Sequence, residues 1–116
     1  MGTPQIDTYQ FGKIVIDGQE HTKDVILLPD RVIGGWWRQE GHVLRMSDLE
    51  DVLAAQPQEL VIGQGAFNRM RITPEVEEAL PNKGIELITL TTNEACQEYN
   101  RRSQTRKVAA ALHLTC

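Results

Sequence analysis

The stretch LVIGQGAFNRMRITPEVEEALPNKGIELITLTTNEA, Leu60 to Ala95, decides the fold class. Leu60 to Ile62 is a continuous apolar run, the pattern of a strand buried on both faces. Thr73 then caps a helix with Pro74 in its first position, where a missing N–H costs nothing, and Val76, Ala79 and Leu80 form the inner stripe. Pro81, shortly before Gly84, stops this helix early or kinks it. Ile85 to Thr91 is the next strand. Thr91-Thr92-Asn93-Glu94 reads as a capping box opening a further helix through about Arg102, with Ala95, Cys96 and Tyr99 inward. This alternation predicts helices packed on a sheet that is at least partly parallel.

The reading extends in both directions. Upstream, Ser47-Asp48-Leu49-Glu50 is another capping box, with Leu49, Val52 and Leu53 at helical spacing and Pro57 ending the run, so a helix is expected over about 48 to 55. Downstream, Val108 to Leu114 is the last strand. The first half, to about Leu44, is strand-like. In KIVIDGQEHTKDVILL, Asp17-Gly18 separates two β-rich runs and signals a hairpin, because both turn positions tolerate positive φ. No linker, repeat or low-complexity run interrupts the chain. The expected order is one domain of hairpin, then α-β-α-β-α-β.

Composition narrows the function classes. A chain of 116 residues, 41% apolar and 24% charged, reads as one globular domain burying roughly two-thirds of its unfolded surface. The net charge of -4 argues against nucleic acid, since phosphate neutralisation needs clustered Lys and Arg on a basic surface. The one basic cluster, Arg101, Arg102, Arg106 and Lys107, closes a predicted helix, where the dipole favours cations. MGTPQIDTYQF has no basic start before an apolar run, no stretch approaches membrane-spanning length, and no myristoylation signal is present, so a cytoplasmic address is expected. Cys96 and Cys116 form no C-x-x-C or disulfide-framework pattern and are expected as free thiols.

The Gly63-Gln64-Gly65 loop invites a nucleotide reading, which fails. Asn68 stands where a dinucleotide fingerprint needs its third glycine, Thr91 and Thr92 occupy the place of the ribose-binding acid, and no Gly-Lys-Ser/Thr follows. No cofactor is expected. A geometric reading survives: if the two strands are parallel, Gly63 to Gly65 and Thr91 to Glu94 meet at the sheet edge where open α/β folds place ligands. Free N–H groups at the helix start would then favour a small anion or a carbonyl oxygen. The competing reading is that the glycines let the chain turn against a bulky neighbour.

GGWWRQEGHVL is the second feature. Adjacent tryptophans in an extended segment face opposite ways, so one can enter the core while the other must be covered by something else. Trp36 and Trp37 therefore mark a pocket or partner surface, or else serve only as core anchors. Arg38 could reach an anion in the crevice, or pair at the surface. Catalytic sets are sparse. Ser47 is assigned to a cap and Ser103 to a helix end, Cys96 lies on an apolar helix face, and His21, His42 and His113 lack metal-ligand spacing, so no metal is expected. His42 is left as an unselected acid-base candidate.

Taken together, WWRQEGH, LVIGQG, LTTNEACQEYN and RKVAAALHLTC resemble the successive motifs of the adipogenesis-associated Mth-domain proteins, whose relatives include a mitochondrial assembly factor for respiratory complex I. The resemblance spans nearly the whole chain. It implies an α/β, single-domain three-layer fold with a mixed central sheet plus an N-terminal β-hairpin. Matching positions are Trp37, Gly41, His42, Gly63, Gly65, Thr92, Ala95, Tyr99, Asn100 and Arg106. Thr91 replaces the acid often found before the threonine, Thr105 replaces a Gly, and Arg102 stands where an apolar residue is expected after Tyr-Asn. The missing acid weakens an inherited proton-transfer role, and the family carries no established reaction.

Two functions follow as expectations. The first is a non-enzymatic protein-interaction or assembly module that contacts an unknown protein partner through Trp36, Trp37 and neighbouring loops. The second is a small anionic ligand site, catalytic or not, between Gly63, Gln64 and Gly65 and the Thr91 to Glu94 helix start, with Arg38, His42, Thr92, Asn100 or Arg106 nearby. Exposed Trp and an edge strand also invite pairing into a homo-oligomer.

Overall fold

A computed structural model describes residues 2–116. In chain order the strands are β1 (Ile6–Gln10), β2 (Lys13–Ile16), β3 (Gln19–His21), β4 (Val25–Leu28), β5 (Arg31–Ile33) and β6 (Val43–Leu44). A 3-10 turn over Met46–Leu49 leads into α1 (Glu50–Ala55), followed by β7 (Glu59–Gly63), β8 (Arg71–Ile72), α2 (Pro74–Asn82), β9 (Glu86–Leu90), α3 (Thr92–Arg102) and β10 (Val108–Leu112). The central sheet has the order β5-β4-β10-β7-β9. β7 is parallel to β10 and to β9, whereas β4 runs antiparallel to β10 and to β5. The sheet is therefore mixed, as the resemblance implied, and its antiparallel half is what alternation alone does not reveal.

Three layers follow from period-2 burial. Leu60 and Ile62 of β7, Ala109 and Ala111 of β10, and Ile26 and Leu28 of β4 face one core with Val52, Val76 and Leu80 of α1 and α2. Their neighbours Val61, Ala110, Val25 and Leu27 face a second core with Tyr99 of α3 and Ile14 of β2. A one-residue slip of any of these strands would exchange the two faces. Both cores are mainly aliphatic, and the Tyr99 hydroxyl escapes isolation by donating to Pro4 O at 2.8 Å.

Several local expectations hold. Asp17 and Gly18 turn the β2–β3 hairpin with φ of 48° and 79°, and Asp7 Oδ2 accepts the Gly18 N–H at 2.7 Å. Thr73 caps α2 by accepting from Val76 N, and Thr91 caps α3 by accepting from Glu94 N. Others need correction. Ser47 is exposed and caps nothing; Asp48 Oδ2 instead reaches back to the Arg45 N–H at 2.9 Å, so the turn begins at Met46 and α1 proper only at Glu50. Pro81 lies within the last turn of α2, where its missing N–H removes a single bond, and the helix runs through Asn82. The last strand ends at Leu112, and His113 to Cys116 continue beyond the sheet across the carboxyl end of β7.

Candidate functional site

The segment between β5 and β6 is pinned by buried polar contacts. The Trp36 N–H donates to Asp24 O at 2.8 Å and its indole N–H to Asp48 O at 3.0 Å. Trp36 is buried, whereas Trp37, facing the other way, is 76% exposed. This is the split that two tryptophans in extended chain require. Arg38 is buried beside them. It donates to Gly41 O through Nε at 3.2 Å and Nη2 at 2.5 Å, pairs with Asp24 Oδ2 at 2.8 Å, and lays its guanidinium 4.6 Å from the Trp36 ring centre. The aromatic face and the carboxylate together compensate the buried cation.

His113 completes the cluster. Its Nδ1 lies 2.8 Å from Asp24 Oδ2 and 3.1 Å from Arg38 Nη2. Because the carboxylate can only accept, Nδ1 is the protonated nitrogen, and the Arg38 contact is two donors sharing one acceptor. Burial pushes the Asp24 carboxyl up, but bonds from His113 and the Leu114 N–H, with the charges on His113 and Arg38, outweigh it and hold the group below its ordinary value. The exposed His42 packs its ring against His113 at 5.5 Å, edge to face. Arg38 and His42 thus share one cluster with Trp36; of the two residues that hold it together, His113 falls within the RKVAAALHLTC stretch but is not selected there as a site residue, and Asp24 lies in no motif.

Gly63 to Gly65 and Thr92 do meet, in direct contact. The Gly65 N–H donates to Thr92 Oγ1 at 2.9 Å, the Thr92 N–H donates back to Gly65 O at 3.1 Å, and the Thr92 hydroxyl donates to His113 O at 2.5 Å. A Cβ on Gly63 would lie 2.9 Å from Thr92 Oγ1, and one on Gly65 would collide with the Cys116 carbonyl. Gln64 gives its N–H to Leu90 O and its side-chain amide to Met70 O, both internal. The crevice expected between these loops is therefore filled, by Thr92 and the His113–Cys116 segment. A side chain at either glycine would meet Thr92 or the terminal segment, so both positions permit close approach of the backbone.

Asn100 and Arg106 are not brought to this loop. The Asn100 amide bonds the Ile6 N–H and C=O at 2.9 and 2.8 Å, clamping β1 to α3. Arg106 pairs with the buried Glu59 at the amino end of β7, the far end of the strand from Gly63. Arg102 joins Glu59 at 3.0 Å, which explains why a cation is tolerated at this position: it neutralises a buried carboxylate. Burial pushes the Glu59 carboxyl up, but bonds from Arg102 and Arg106 outweigh it and hold the group below the usual range.

Two exposed aromatics were missed by sequence reasoning. Phe11, in the β1–β2 turn, and Phe67, in the loop after Gly65, are 57% and 68% exposed, with tilted rings whose centres lie 6.3 Å apart. Phe11 directly precedes Gly12 and Phe67 lies two residues after Gly65, and nearby glycine in a loop is the only signal the sequence offers. Gly12 donates to Leu114 O and Ala66 to Thr115 O, at 2.9 and 2.7 Å, while Arg38 and His113 are joined through the Asp24 carboxylate that both donate to. The loops bearing Phe11, Phe67 and Trp37 are thus stitched to three consecutive residues, which span roughly 10 Å of extended chain.

Cys96 is buried, and burial pushes its thiol up to about 12. Iodoacetamide at about pH 8 is expected to leave Cys96 unmodified in the folded protein while labelling the half-buried Cys116, and to reach Cys96 only after urea unfolding. Peptide mass mapping checks this; rapid native labelling of Cys96 would contradict the packing of α3. Among the described residues, no group of three or more His, Cys, Asp and Glu side chains is placed to share a metal ion.

A mixed five-stranded sheet with helices on both faces and a hairpin sheet over one of them defines a small α/β domain of the Mth938-like type. The chain belongs to the family described as "Protein of unknown function (DUF498/DUF598)", which matches residues 6–113. It is 28% identical to a Bartonella henselae structure described as an outer membrane protein, with a TM-score of 0.84 over 99% of this chain and 98% of that one. A Rhodopseudomonas palustris protein is 30% identical, with a TM-score of 0.76 over 97% and 87% of the two chains. A Bordetella pertussis protein described as an Mth938-like domain shares 18% identity, with a TM-score of 0.69 over 96% and 85%, a likeness of fold alone.

Proposed function

We propose that this domain is a non-enzymatic interaction or assembly module that docks a protein partner through the Trp37 loop. The observation that carries the reading is the contrast between Trp37, exposed, and Trp36 and Arg38 on either side of it, buried and bonded. An aromatic anchor held on a fixed backbone loses little freedom on binding, which is how a single Trp comes to dominate an interface. Phe11 and Phe67 supply further apolar contact from loops tied to the same chain segment. The resemblance to adipogenesis-associated Mth-domain proteins and a complex I assembly factor points the same way. Two free thiols suit a reducing compartment, and a cytoplasmic address is part of the proposal. Self-association through the same aromatics belongs to it as well. The anionic-ligand alternative finds its donors committed: the Gly65, Gln64 and Thr92 amides all bond within the fold.

Trp37→Ser tests this. Its melting temperature is expected to stay within a few degrees of wild type, since exposed substitutions usually change stability by about 0.5 kcal/mol or less. Proteins cross-linked to the wild-type domain in extract of its own cells should be lost from the variant, and lost again from Phe67→Ser. An identical cross-linked set in all three proteins would refute the Trp37 surface.

A further inference from the structure

The outer edge of β9 is a second surface, independent of the Trp37 reading. Among the described residues, β9 pairs only with β7, and no strand lies on its other side. The register tells which groups are open. The Glu86 N–H donates to Gln58 O at 3.0 Å, and Leu90 O accepts from the Gln64 N–H at 2.9 Å, so Glu86, Ile88 and Leu90 bond inward. In a parallel ladder the alternate residues then direct both backbone groups away from the partner. Leu87 and Thr89 therefore present their N–H and C=O groups outward. Natural edges are usually closed by Lys, Pro, a bulge or a covering element. This one has none of them: its sequence is ELITL, its register is regular, and its apolar side chains are half-buried.

Each face of the edge carries a cleft. On the α2 side, about 610 Å³ is lined by Leu87, Thr89, Ile85, Pro81 and Glu77. On the α3 side, about 290 Å³ is lined by Ile88, Leu90, Gln97 and Glu94 among others. An added strand would send alternate side chains into the two clefts, the arrangement by which sheet edges recognise extended peptides. The rim is acidic. Glu77, Glu86 and Glu94 make no ion pair among the described residues, and Arg102, the cation of the α3 cleft, is already held by Glu59 and Glu98.

We propose that the β9 edge binds an extended segment of a partner protein by strand addition, with apolar residues entering the two clefts and Lys or Arg meeting Glu77, Glu86 and Glu94. Charge excludes a second copy as the occupant: pairing β9 with itself would bring two acidic rims together, which like charges oppose.

The test is selection of a random short-peptide library displayed on phage against the immobilised protein, with Thr89→Pro as the counter-target. The Thr89 N–H points outward, so proline removes a docking donor without breaking the β7 ladder, and edge positions accept it. Enriched peptides should be extended, alternating and rich in Lys or Arg. Thr89→Pro should weaken a selected peptide on the order of tenfold, and Glu77→Lys with Glu86→Lys roughly fivefold, while amide spectra of both variants stay native-like. The charge-reversed pair serves as readout should Thr89→Pro fail to fold. Peptides lacking cations, or binding unchanged in these variants, would overturn the proposal. So would an empty selection, which would make the glutamates guards against aggregation. A wild-type dimer dissociated by Thr89→Pro in light scattering would also overturn it, by assigning the edge to a second copy.

Discussion

Gly65→Ala is expected to cost roughly 4 kcal/mol, the sum of a strained backbone and an overpacked contact. Gly65 has φ of 102°, outside the regions L side chains adopt, so any Cβ is strained before packing is considered. The added methyl would also collide with the Cys116 carbonyl and lie 2.8 Å from Thr115 O. Those are backbone atoms, which cannot swing aside as a flexible side-chain end would. Moving them would break the bonds that Ala66 and Arg69 donate to Thr115 O and Cys116 O at 2.7 and 3.0 Å. Urea unfolding should show the loss directly, and the melting temperature should fall by about 15 °C for a domain of this size. Gly35→Ala is the control. Gly35 also has positive φ, 64°, but a Cβ there meets nothing within 4 Å, so only the left-handed penalty of about 1 kcal/mol applies. Equal costs at the two sites would sink the packing argument. The result also bears on function: a Gly65 variant that fails to bind anything would report a disrupted fold, because the loop that resembles a phosphate cradle is a closure between β7, α3 and the terminal segment.

How much of this was legible depends on whether the cause is local. Hydrophobic period, caps and the Asp17-Gly18 turn are written in neighbouring residues, so β7, α2, β9, α3 and the β2–β3 hairpin could be read in advance. The Ser47 cap failed because Ser47 and Asp48 offer the same chemistry one residue apart, and only the direction of entry at Arg45 selects the acid. Placing β4 antiparallel beside β10 required knowing that Val25–Leu28 is buried on both faces and pairs on one side with a strand far along the chain, which a four-residue apolar run does not state. The site suffered more. Trp36, Arg38 and His42 were visible as one segment, but Asp24 and His113 are 89 residues apart, and neither the plain sequence around Asp24 nor the RKVAAALHLTC stretch says that the two meet. Asn100 and Arg106 carried the family pattern for structural reasons, the first clamping β1 and the second neutralising Glu59.

Asp24→Ala should cost about 3–5 kcal/mol, because it leaves the Arg38 guanidinium buried without its counter-charge. The Arg38 side chain is 3% exposed, so water cannot replace the lost partner in place. The same substitution strips the Leu114 N–H of its acceptor at 2.8 Å and frees His113 Nδ1. The pH dependence follows with a definite sign. The Asp24 carboxyl is held below its ordinary value of 3.8 in the folded protein, so its stabilisation is fully present above that value and is lost as pH falls through the lower folded one. Wild type should therefore lose stability below about pH 4, and Asp24→Asn should have a shallower acid limb. The limb should not vanish, since Glu59 is depressed in the same direction by Arg102 and Arg106. Denaturant midpoints from about pH 2 to 7 measure it; parallel limbs in the two proteins would mean that Asp24 is not held by the cluster. Asp24 also accepts the Trp36 N–H through its backbone, which the side-chain variants leave in place, so Asp24→Asn loosens the Arg38 side of the loop selectively. If rigid presentation is what makes Trp37 an anchor, Asp24→Asn at neutral pH should weaken partner capture with Trp37 itself unaltered. Full capture would show that the exposed indole suffices without the buried charges behind it.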